Sequence, residues 1–304
     1  MLKVGVIGLG SIAMKAYLPV YAGMSGIEFY FCTRNKATLE EVHAKYRWTH
    51  LCTSIDELLK QGIHAAFVHA ATHAHPKIIE QLILHGIAIY TDKPIADHYE
   101  DVKRLTELAE VNHVLLMTGF NRRFAPLISK AALLPNKSMV ICQKNRVNDP
   151  KDLRTAVFDD FIHVIDTARF LLGKPIDSLS VHASWNEEHL CNGISVILRN
   201  EDLIALAIMN RVSGANHEFA QVMSPQGEYI IKDLTEMEWV KSADHCIEKF
   251  GDWTGTLQKR GFEPIIHAFL DAVQQGNKEP VDKQDALETH RLCECIVEQA
   301  ESNL

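Results

Sequence analysis

Residues 1–13 read MLKVGVIGLGSIA, and this stretch decides the fold of the N-terminal part. A largely apolar run is typical of a buried strand, and the pattern G-x-G-x-x-A follows at Gly8, Gly10 and Ala13. A strand that enters this turn and continues into a helix predicts a dinucleotide-binding turn, because the helix start offers free N–H groups to a pyrophosphate. Cofactor contacts are expected at Gly8, Gly10, Ser11, Ile12 and Ala13. The alternative is a glycine turn in a sheet protein that binds no cofactor.

Short apolar runs alternate with helical patterns as far as residue 120. Strands that are apolar throughout and alternate with helices indicate a parallel sheet covered on both faces. We therefore expect an α/β fold in which residues 1–120 form a doubly wound Rossmann domain that binds a dinucleotide. The predicted strands are 3–9, 27–33, 65–71, 87–93 and 114–120, and the predicted helices are about 11–24, 39–46, 54–61, 76–86 and 101–111.

The pattern changes after residue 120. Several strand-like runs follow one another closely between 178 and about 242, which predicts an antiparallel sheet. Residues 121–304 are therefore expected to form an α+β domain with a large, mostly antiparallel open sheet that binds substrate. An open sheet has one face that needs covering, so we expect a homodimer or homotetramer through this sheet. Helices are predicted near 123–134, 157–172, 257–275 and 284–301, with a further strand at 138–147.

Composition limits the function classes. The formal net charge of −8 disfavours nucleic acid as a partner, because phosphate backbones require an excess of Lys and Arg. The seven cysteines show no disulfide spacing, which favours a reducing compartment. No signal peptide or membrane segment is recognisable, so a cytoplasmic location without a membrane partner is expected. His69, His73 and His75 lie close together, but nothing at a recognised spacing joins them, and no metal site is expected.

The end of the second predicted strand bears on cofactor choice. NAD enzymes usually carry an acidic residue there, which binds the ribose 2′-hydroxyl. This chain instead has Thr33, Arg34 and Lys36, with no carboxylate between residues 32 and 36. A hydroxyl and two cations suit a 2′-phosphate, so NADP(H) is favoured over NAD(H). The alternative is that Arg34 and Lys36 are solvated and that NAD binds.

Three further motifs accompany the glycine turn. They are TDKP at 91–94, GFNRRF at 119–124 and DDFIHVID at 159–166. Together these stretches resemble the Gfo/Idh/MocA oxidoreductases, over nearly the whole chain. The sequences FNRRFAPL and DDFIHVIDTA resemble those of the bacterial MviM/YceM-like subgroup. The resemblance implies a two-domain, nicotinamide-dependent oxidoreductase that acts on a small sugar-like molecule.

The resemblance also implies roles for the catalytic residues. Lys93 matches the family's Lys beside the nicotinamide, and Asp92 replaces the Glu that usually precedes it. His163 matches the family's acid/base histidine, and Asp159 matches the acidic residue that contacts substrate. Further candidates for cofactor contacts are Ala71, Thr72, His75, Asp92, Lys93, Asn121 and Arg122.

Hydride transfer from an alcohol requires a proton acceptor at the hydroxyl, and neutral His163 suits that task. The Lys93 ammonium would stabilise developing alkoxide charge. Either Asp159 or Asp160 has helical spacing to partner His163, and the resemblance favours Asp159. Without the Lys93 motif, a helix histidine packed in a core would be the favoured interpretation of His163. A second function class, a dinucleotide-binding sensor of the same fold, is disfavoured by the joint presence of Lys93, Asp159 and His163.

Overall fold

A computed structural model describes residues 1–302, and these divide into two compact units. The first unit comprises Met1–Gly119 and Ile265–Leu287, and the second comprises Phe120–Pro264 and the residues from Glu288 onward. The sequence pattern assigns 265–287 to the second domain, within 121–304. Phe269 explains the difference, because its ring lies 5.0 Å from that of Phe67 and 5.7 Å from that of Tyr90, both in the first unit.

The first unit contains a six-stranded sheet in which every pairing is parallel. Its strand order is β3-β2-β1-β4-β5-β6, the order of a Rossmann fold. The strands are β1 Leu2–Ile7, β2 Ile27–Cys32, β3 Leu51–Cys52, β4 Ala65–Val68, β5 Ala88–Thr91 and β6 Leu116–Thr118. The helices are α1 Leu18–Tyr21, α2 Lys36–Tyr46, α3 Ile55–Leu59, α4 His75–Leu84 and α5 Tyr99–Val111.

Local sequence explains where the helices of this unit begin and end. Asn35 caps α2 by accepting the backbone N–H of Ala37 at 3.1 Å, and Ser54 caps α3 in the same way. Helix α4 has Pro76 in its first turn, and Gly86 follows its end with φ of 67°. The helix after β1 departs from the predicted regular helix, because Ala13–Tyr17 forms a π-helical turn before α1.

The second unit contains an eight-stranded sheet of order β14-β13-β12-β11-β7-β10-β9-β8. Only the pairing of β7 with β10 is parallel, so the expected mostly antiparallel sheet is confirmed. The strands are β7 Met139–Val147, β8 Ser178–Trp185, β9 Cys191–Asn200, β10 Leu203–Ser213, β11 His217–Ser224, β12 Gly227–Lys232, β13 Glu236–Lys241 and β14 Asp244–Lys249.

Helix α8, Ile162–Leu172, packs on β7 and β10 and covers one face of this sheet. A π-helical segment, Ala156–Phe161, leads directly into it, where a regular helix was predicted. Gly173 ends α8 with φ of 68°, a left-handed conformation that glycine adopts without strain. The other helices are α6 Pro126–Ala132, α7 Leu153–Thr155 and α9 Thr256–Lys259, and α10 Phe262–Gln275 and α11 Lys283–Ser302 each contribute residues to both units.

Candidate active site

The glycine turn follows β1 and leads into a helix that begins at Ser11. Gly8 has φ of 88°, and a Cβ built on it would lie 2.5 Å from the backbone nitrogen of Ala70, so only glycine fits there. A Cβ on Gly10 would meet no atom within 4 Å, and Ser11 and Ile12 are exposed. The open surface over Gly10 and the helix start therefore fits the pyrophosphate of a dinucleotide.

The loop after β2 carries the predicted cations. Arg34 and Lys36 are exposed, and Thr33 is half-buried, with its Oγ1 accepting the backbone N–H of Asn35 at 3.4 Å. Asn35 is occupied as the cap of α2. The other polar side chains of this loop are the cations Arg34 and Lys36 and the neutral Thr33. The described loop therefore presents two exposed cations at the end of β2.

His75 joins the loops that follow β4 and β5. Its Nδ1 lies 2.9 Å from the carbonyl oxygen of Pro94, and its Nε2 lies 2.9 Å from the carbonyl oxygen of Ala70. Burial lowers the pKa of His75, although these carbonyls and Asp92 act in the opposite direction. His75 thus braces the loop that contains Ala71 and Thr72, and its ring is almost fully buried.

Asp92 follows β5 and is the centre of a buried hydrogen-bond network. Its carboxylate accepts the Tyr17 hydroxyl and lies 2.9 Å from Nδ1 of His69. The Tyr17 and Tyr90 hydroxyls are 2.9 Å apart, and the Tyr21 hydroxyl is 2.9 Å from Nε2 of His69. The Asp92 network, as we call these five side chains, lies directly before Lys93, whose peptide bond to Pro94 is cis.

The proton positions in the Asp92 network follow from its geometry. A carboxylate only accepts, so His69 donates from Nδ1 and Tyr17 donates its hydroxyl proton to Asp92. Tyr90 must then donate to the Tyr17 oxygen. Burial alone would raise the pKa of Asp92, but His69 and then Tyr17 outweigh it and hold that pKa below its ordinary value. Asp92 therefore stays ionised beside Lys93.

In the second unit, the π-helical segment contains two consecutive acidic residues that differ in exposure. Asp159 is exposed, whereas Asp160 is buried and binds Lys144, Arg146 and Arg211. Asp160 is therefore committed to these cations, which leaves Asp159 as the acidic residue presented near His163. His163 is half-buried at the start of α8.

The remaining motif residues of the second unit are tied into ion pairs or backbone contacts. Arg122 binds Glu218 through two nitrogens, one of them at 3.0 Å from Oε2. Asn121 donates from Nδ2 to the carbonyl oxygen of Arg260 at 2.7 Å. Asp166 is buried and binds Arg123 at 2.6 Å. Asn121 and Arg122 are thus fixed in place by their own unit.

The structure brings one group of the predicted residues together. Four of the predicted segments lie at the carboxyl ends of β1, β2, β4 and β5, which are neighbours in one parallel sheet. In that order, they are Gly8 to Ala13, Thr33 and Arg34, Ala71 and Thr72, and Asp92 and Lys93. Dinucleotides bind along this edge in open α/β sheets.

The sequence did not predict Tyr17 and Tyr21, because their four-residue spacing is typical of any buried helix face. It also did not predict Lys144 and Arg146.

Among residues 1–302, no group of three or more His, Cys, Asp or Glu side chains is arranged to hold a metal ion. No helix described here has both the length and the apolar character that crossing a membrane requires.

Comparison with known proteins decides the family. A sequence model described as "Oxidoreductase family, NAD-binding Rossmann fold" matches residues 2–120, and a model described as "YceM-like, C-terminal domain" matches residues 129–242. YceM of Salmonella typhimurium is 30% identical over 97% of this chain and 97% of its own length. The chain belongs to the Gfo/Idh/MocA oxidoreductase family.

Other Gfo/Idh/MocA proteins agree with this assignment. The crystal structure of a family oxidoreductase from Vibrio cholerae superposes with a TM-score of 0.94, at 31% identity, over 100% of this chain and 99% of that one. An inositol 2-dehydrogenase from Rhizobium meliloti is 30% identical over 77% of this chain and 78% of its own length. The resemblance drawn from the motifs is confirmed, and the chain is an oxidoreductase with an NAD-binding Rossmann domain.

Proposed function

We propose that this protein transfers hydride between NADP(H) and a hydroxyl or carbonyl carbon of a sugar, polyol or related compound. The observation that carries the proposal is the meeting of the glycine turn, the Arg34 loop and Lys93 at the carboxyl edge of one parallel sheet. Across the sheet from β2 through β1 to β5, the three loops suit the adenosine ribose, the pyrophosphate and the nicotinamide in turn. The nicotinamide ring, when bound, supplies or accepts the hydride.

Cofactor selection belongs to the loop after β2. Arg34 and Lys36 are exposed cations, and Thr33 adds a hydroxyl. A 2′-phosphate bound here gains charge-assisted hydrogen bonds, whereas the 2′-hydroxyl of NAD finds no carboxylate in residues 32–36. We infer that NADP(H) binds more tightly than NAD(H).

Three side chains are proposed for the chemistry. Lys93 donates a hydrogen bond to the reacting oxygen and stabilises negative charge on it. His163 takes the hydroxyl proton during oxidation and returns it during reduction. Asp159, the exposed member of the acidic pair, binds a substrate hydroxyl. Asp92 keeps a fixed carboxylate next to Lys93, and His75, Asn121 and Arg122 hold the surrounding loops.

The family relatives support a polyhydroxy substrate, since one of them is named an inositol 2-dehydrogenase. We further propose a homodimer or homotetramer that forms through the uncovered face of the second sheet. Apolar side chains that are only half-buried support this arrangement, because they line that face on β7, β9 and β10.

Binding and turnover test the proposal separately. Fluorescence titration is expected to show tighter binding of NADPH than of NADH, and Arg34→Ala is expected to remove most of that difference. Tighter NADH binding in the unmodified protein would contradict the NADP(H) assignment. Lys45→Ala, which removes an exposed cation from α2, is the matched control.

Turnover is measured with a panel of polyols and keto-sugars. Lys93→Ala and His163→Ala should each lower kcat by about 100-fold or more, the contribution typical of a positioned acid or base. Lys103→Ala and His182→Ala, which alter exposed residues, are the controls. Equal activity of the variants would refute the assigned roles, and tight NADPH binding without turnover on any substrate would favour a sensor.

A further inference from the structure

A charged network lies at one end of the covered face of the second sheet. Along β7, Val140 and Cys142 are buried under α8, and the next two residues of the same alternating set are Lys144 and Arg146. Glu218 of β11 is paired with Lys144 in the strand register. Toward the end of β7, the side chains on this face therefore change from apolar to charged.

One carboxylate joins most of these cations. Asp160 lies 2.6 Å from Nζ of Lys144 through Oδ1, and it receives two bonds of 2.6 Å from Arg146. Arg211 of β10 adds a contact of 3.1 Å and also binds Asp149. A single carboxylate therefore faces three cations.

Further ion pairs lie on both sides of the Asp160 group, and Glu218 adjoins it as the register partner of Lys144. Lys151 lies 3.7 Å from Asp149, and Glu218 binds Arg122 and, at 3.2 Å, Arg260. We call the whole set the β7 charge cluster; among residues 1–302 its ion pairs link six cations, namely Lys144, Arg146, Lys151, Arg211, Arg122 and Arg260, to three carboxylates, namely Asp149, Asp160 and Glu218.

The excess of positive charge is costly because much of the β7 charge cluster is buried. The side chain of Arg211 is 0% exposed and that of Lys144 is 7% exposed. Burial, followed by the charge of Arg122, lowers the pKa of Lys144 to about 7, although Asp160 and Glu218 oppose this shift. Leaving buried charges without full compensation is costly, and strongly shifted pKa values such as that of Lys144 are concentrated at functional sites.

The surface of the cluster lies beside a proposed catalytic residue. The side chain of Arg146 is 35% exposed and forms an ion pair with Asp160. The residue before Asp160 in the chain is the exposed Asp159. Within the ion pairs of the β7 charge cluster, the cations outnumber the carboxylates by six to three. An anion that reached Arg146 would offset the excess and meet a planar guanidinium suited to two parallel hydrogen bonds.

We propose that the substrate carries a fixed negative charge, a carboxylate or phosphate group, which Arg146 binds at the edge of the β7 charge cluster. This inference rests on the proposed function and narrows it. Asp159 binds a hydroxyl and Arg146 binds the charged end, so the substrate class is a polyhydroxy acid or a sugar phosphate.

The test compares matched neutral and anionic compounds. Turnover with NADP+ is measured on D-glucose, D-gluconate, D-glucuronate and D-glucose 6-phosphate, and binding of the same compounds to the protein with NADPH is measured by calorimetry. We expect at least one anionic compound to bind about tenfold or more tightly than D-glucose, since a hydrogen bond between charged groups contributes that much. This difference should shrink as salt is added. The acids and the phosphate separate the two sources of charge.

Variants assign the effect to Arg146. Arg146→Met should lower the ratio of anionic to neutral affinity about tenfold, and Arg146→Lys should retain part of it. Lys174→Met removes an exposed cation that follows α8 and should leave the ratio unchanged. Circular dichroism confirms that each variant is folded.

The outcomes separate this inference from the proposed function. Equal binding of neutral and anionic compounds, or a preference that survives in Arg146→Met, overturns the inference while the dehydrogenase activity stands. Anion binding that depends on Arg146, without turnover of any compound, supports the inference and contradicts the proposed reaction.

Discussion

Asp92 keeps its negative charge at the end of β5 because Tyr17 and His69 reach it from different parts of the first unit. The motif TDKP marks Asp92 and Lys93 in the sequence, but it does not show which side chains hold the carboxylate. Tyr17 and Tyr21 are spaced for any buried helix face, so their hydroxyl partners depend on the tertiary structure.

The two tyrosines are expected to differ in their contribution to stability. Tyr17→Phe removes a hydrogen bond to an anion and leaves the buried Tyr90 hydroxyl without its acceptor, so the free energy of unfolding should fall by about 2 kcal/mol. Tyr21→Phe removes a hydrogen bond between neutral groups and leaves Nε2 of His69 without its donor; with no anion involved, it should cost less, about 1 kcal/mol. Urea unfolding measures both values, and a larger loss for Tyr21→Phe would contradict the proton arrangement of the Asp92 network.

At the scale of the element, the glycine turn combines two requirements. Gly8 is fixed by the close approach of Ala70 and by its positive φ, whereas Gly10 faces open space. The first glycine therefore serves folding, and the second leaves room for a ligand.

A pair of alanine substitutions separates these roles. Gly8→Ala should lower the free energy of unfolding by about 3 kcal/mol, because its Cβ meets backbone atoms in a strained conformation. Gly10→Ala should change stability by less than about 0.5 kcal/mol, yet weaken NADPH binding because its Cβ occupies the space over the turn. Thermal unfolding and NADPH titration of both variants measure the two effects. Unchanged NADPH affinity in Gly10→Ala would argue against a phosphate at this turn.

The π-helical segment before α8 is a second element that the sequence pattern did not predict. Residues 157–172 have regular helical spacing in the sequence, but Asp160 is bound by Lys144, Arg146 and Arg211 from two strands. Strand residues distant in sequence supply these contacts, so the local hydrophobic periodicity could not predict them. In the π-helical segment, Asp160 is buried and Asp159 is exposed to solvent.

For the whole molecule, the carboxylates of the β7 charge cluster predict how stability depends on acidity. Burial would raise the pKa of Glu218, but Arg122, Lys144 and Arg260 lower it from 4.5 to about 2. A carboxylate whose pKa is lowered by folding contributes stability above its unfolded pKa, and this contribution is lost as the pH falls through the folded pKa. Asp160 shifts in the same direction.

Glu218→Gln tests that dependence. The variant should melt at a lower temperature at pH 7, because Arg122 and Arg260 lose their carboxylate. Its melting temperature should then fall less steeply than that of the unmodified protein between about pH 5 and pH 2. Scanning calorimetry across this range measures the slopes, with the exposed Glu188→Gln as control. Parallel slopes would show that Glu218 is not responsible.

The uncovered face of the second sheet predicts the oligomeric state. On β10, Leu206 is half-buried, and its register partners are Ile141 of β7 and Ile197 of β9. Leu206→Lys places a charge in this apolar row and should convert an oligomer to monomers. Light scattering measures the molar mass, and Leu133→Lys, at a leucine that is 81% exposed away from the sheet, is the control. An unmodified protein that is monomeric would contradict the proposed assembly.

Sequence patterns predicted most of both sheets, because buried strands are apolar runs and the glycine turn has a fixed context. They did not predict β3, which has only two residues, or β14, whose sequence DHCIEK is exposed throughout and lacks an apolar set. For the candidate site, motifs marked Gly8, Lys93 and His163. The buried partners of Asp92 and Asp160 were not predictable, since tertiary pairing places them.

The position of Phe269 has a consequence for synthesis on the ribosome. Its ring packs against Phe67 and Tyr90 of the first unit, yet it is translated only after the whole of Phe120–Pro264. The nascent Rossmann unit therefore exposes aromatic surface until the C-terminal segment emerges, and we expect chaperones to bind it in that interval. A premature stop before residue 265 would leave that surface uncovered, and we expect such a fragment to be degraded.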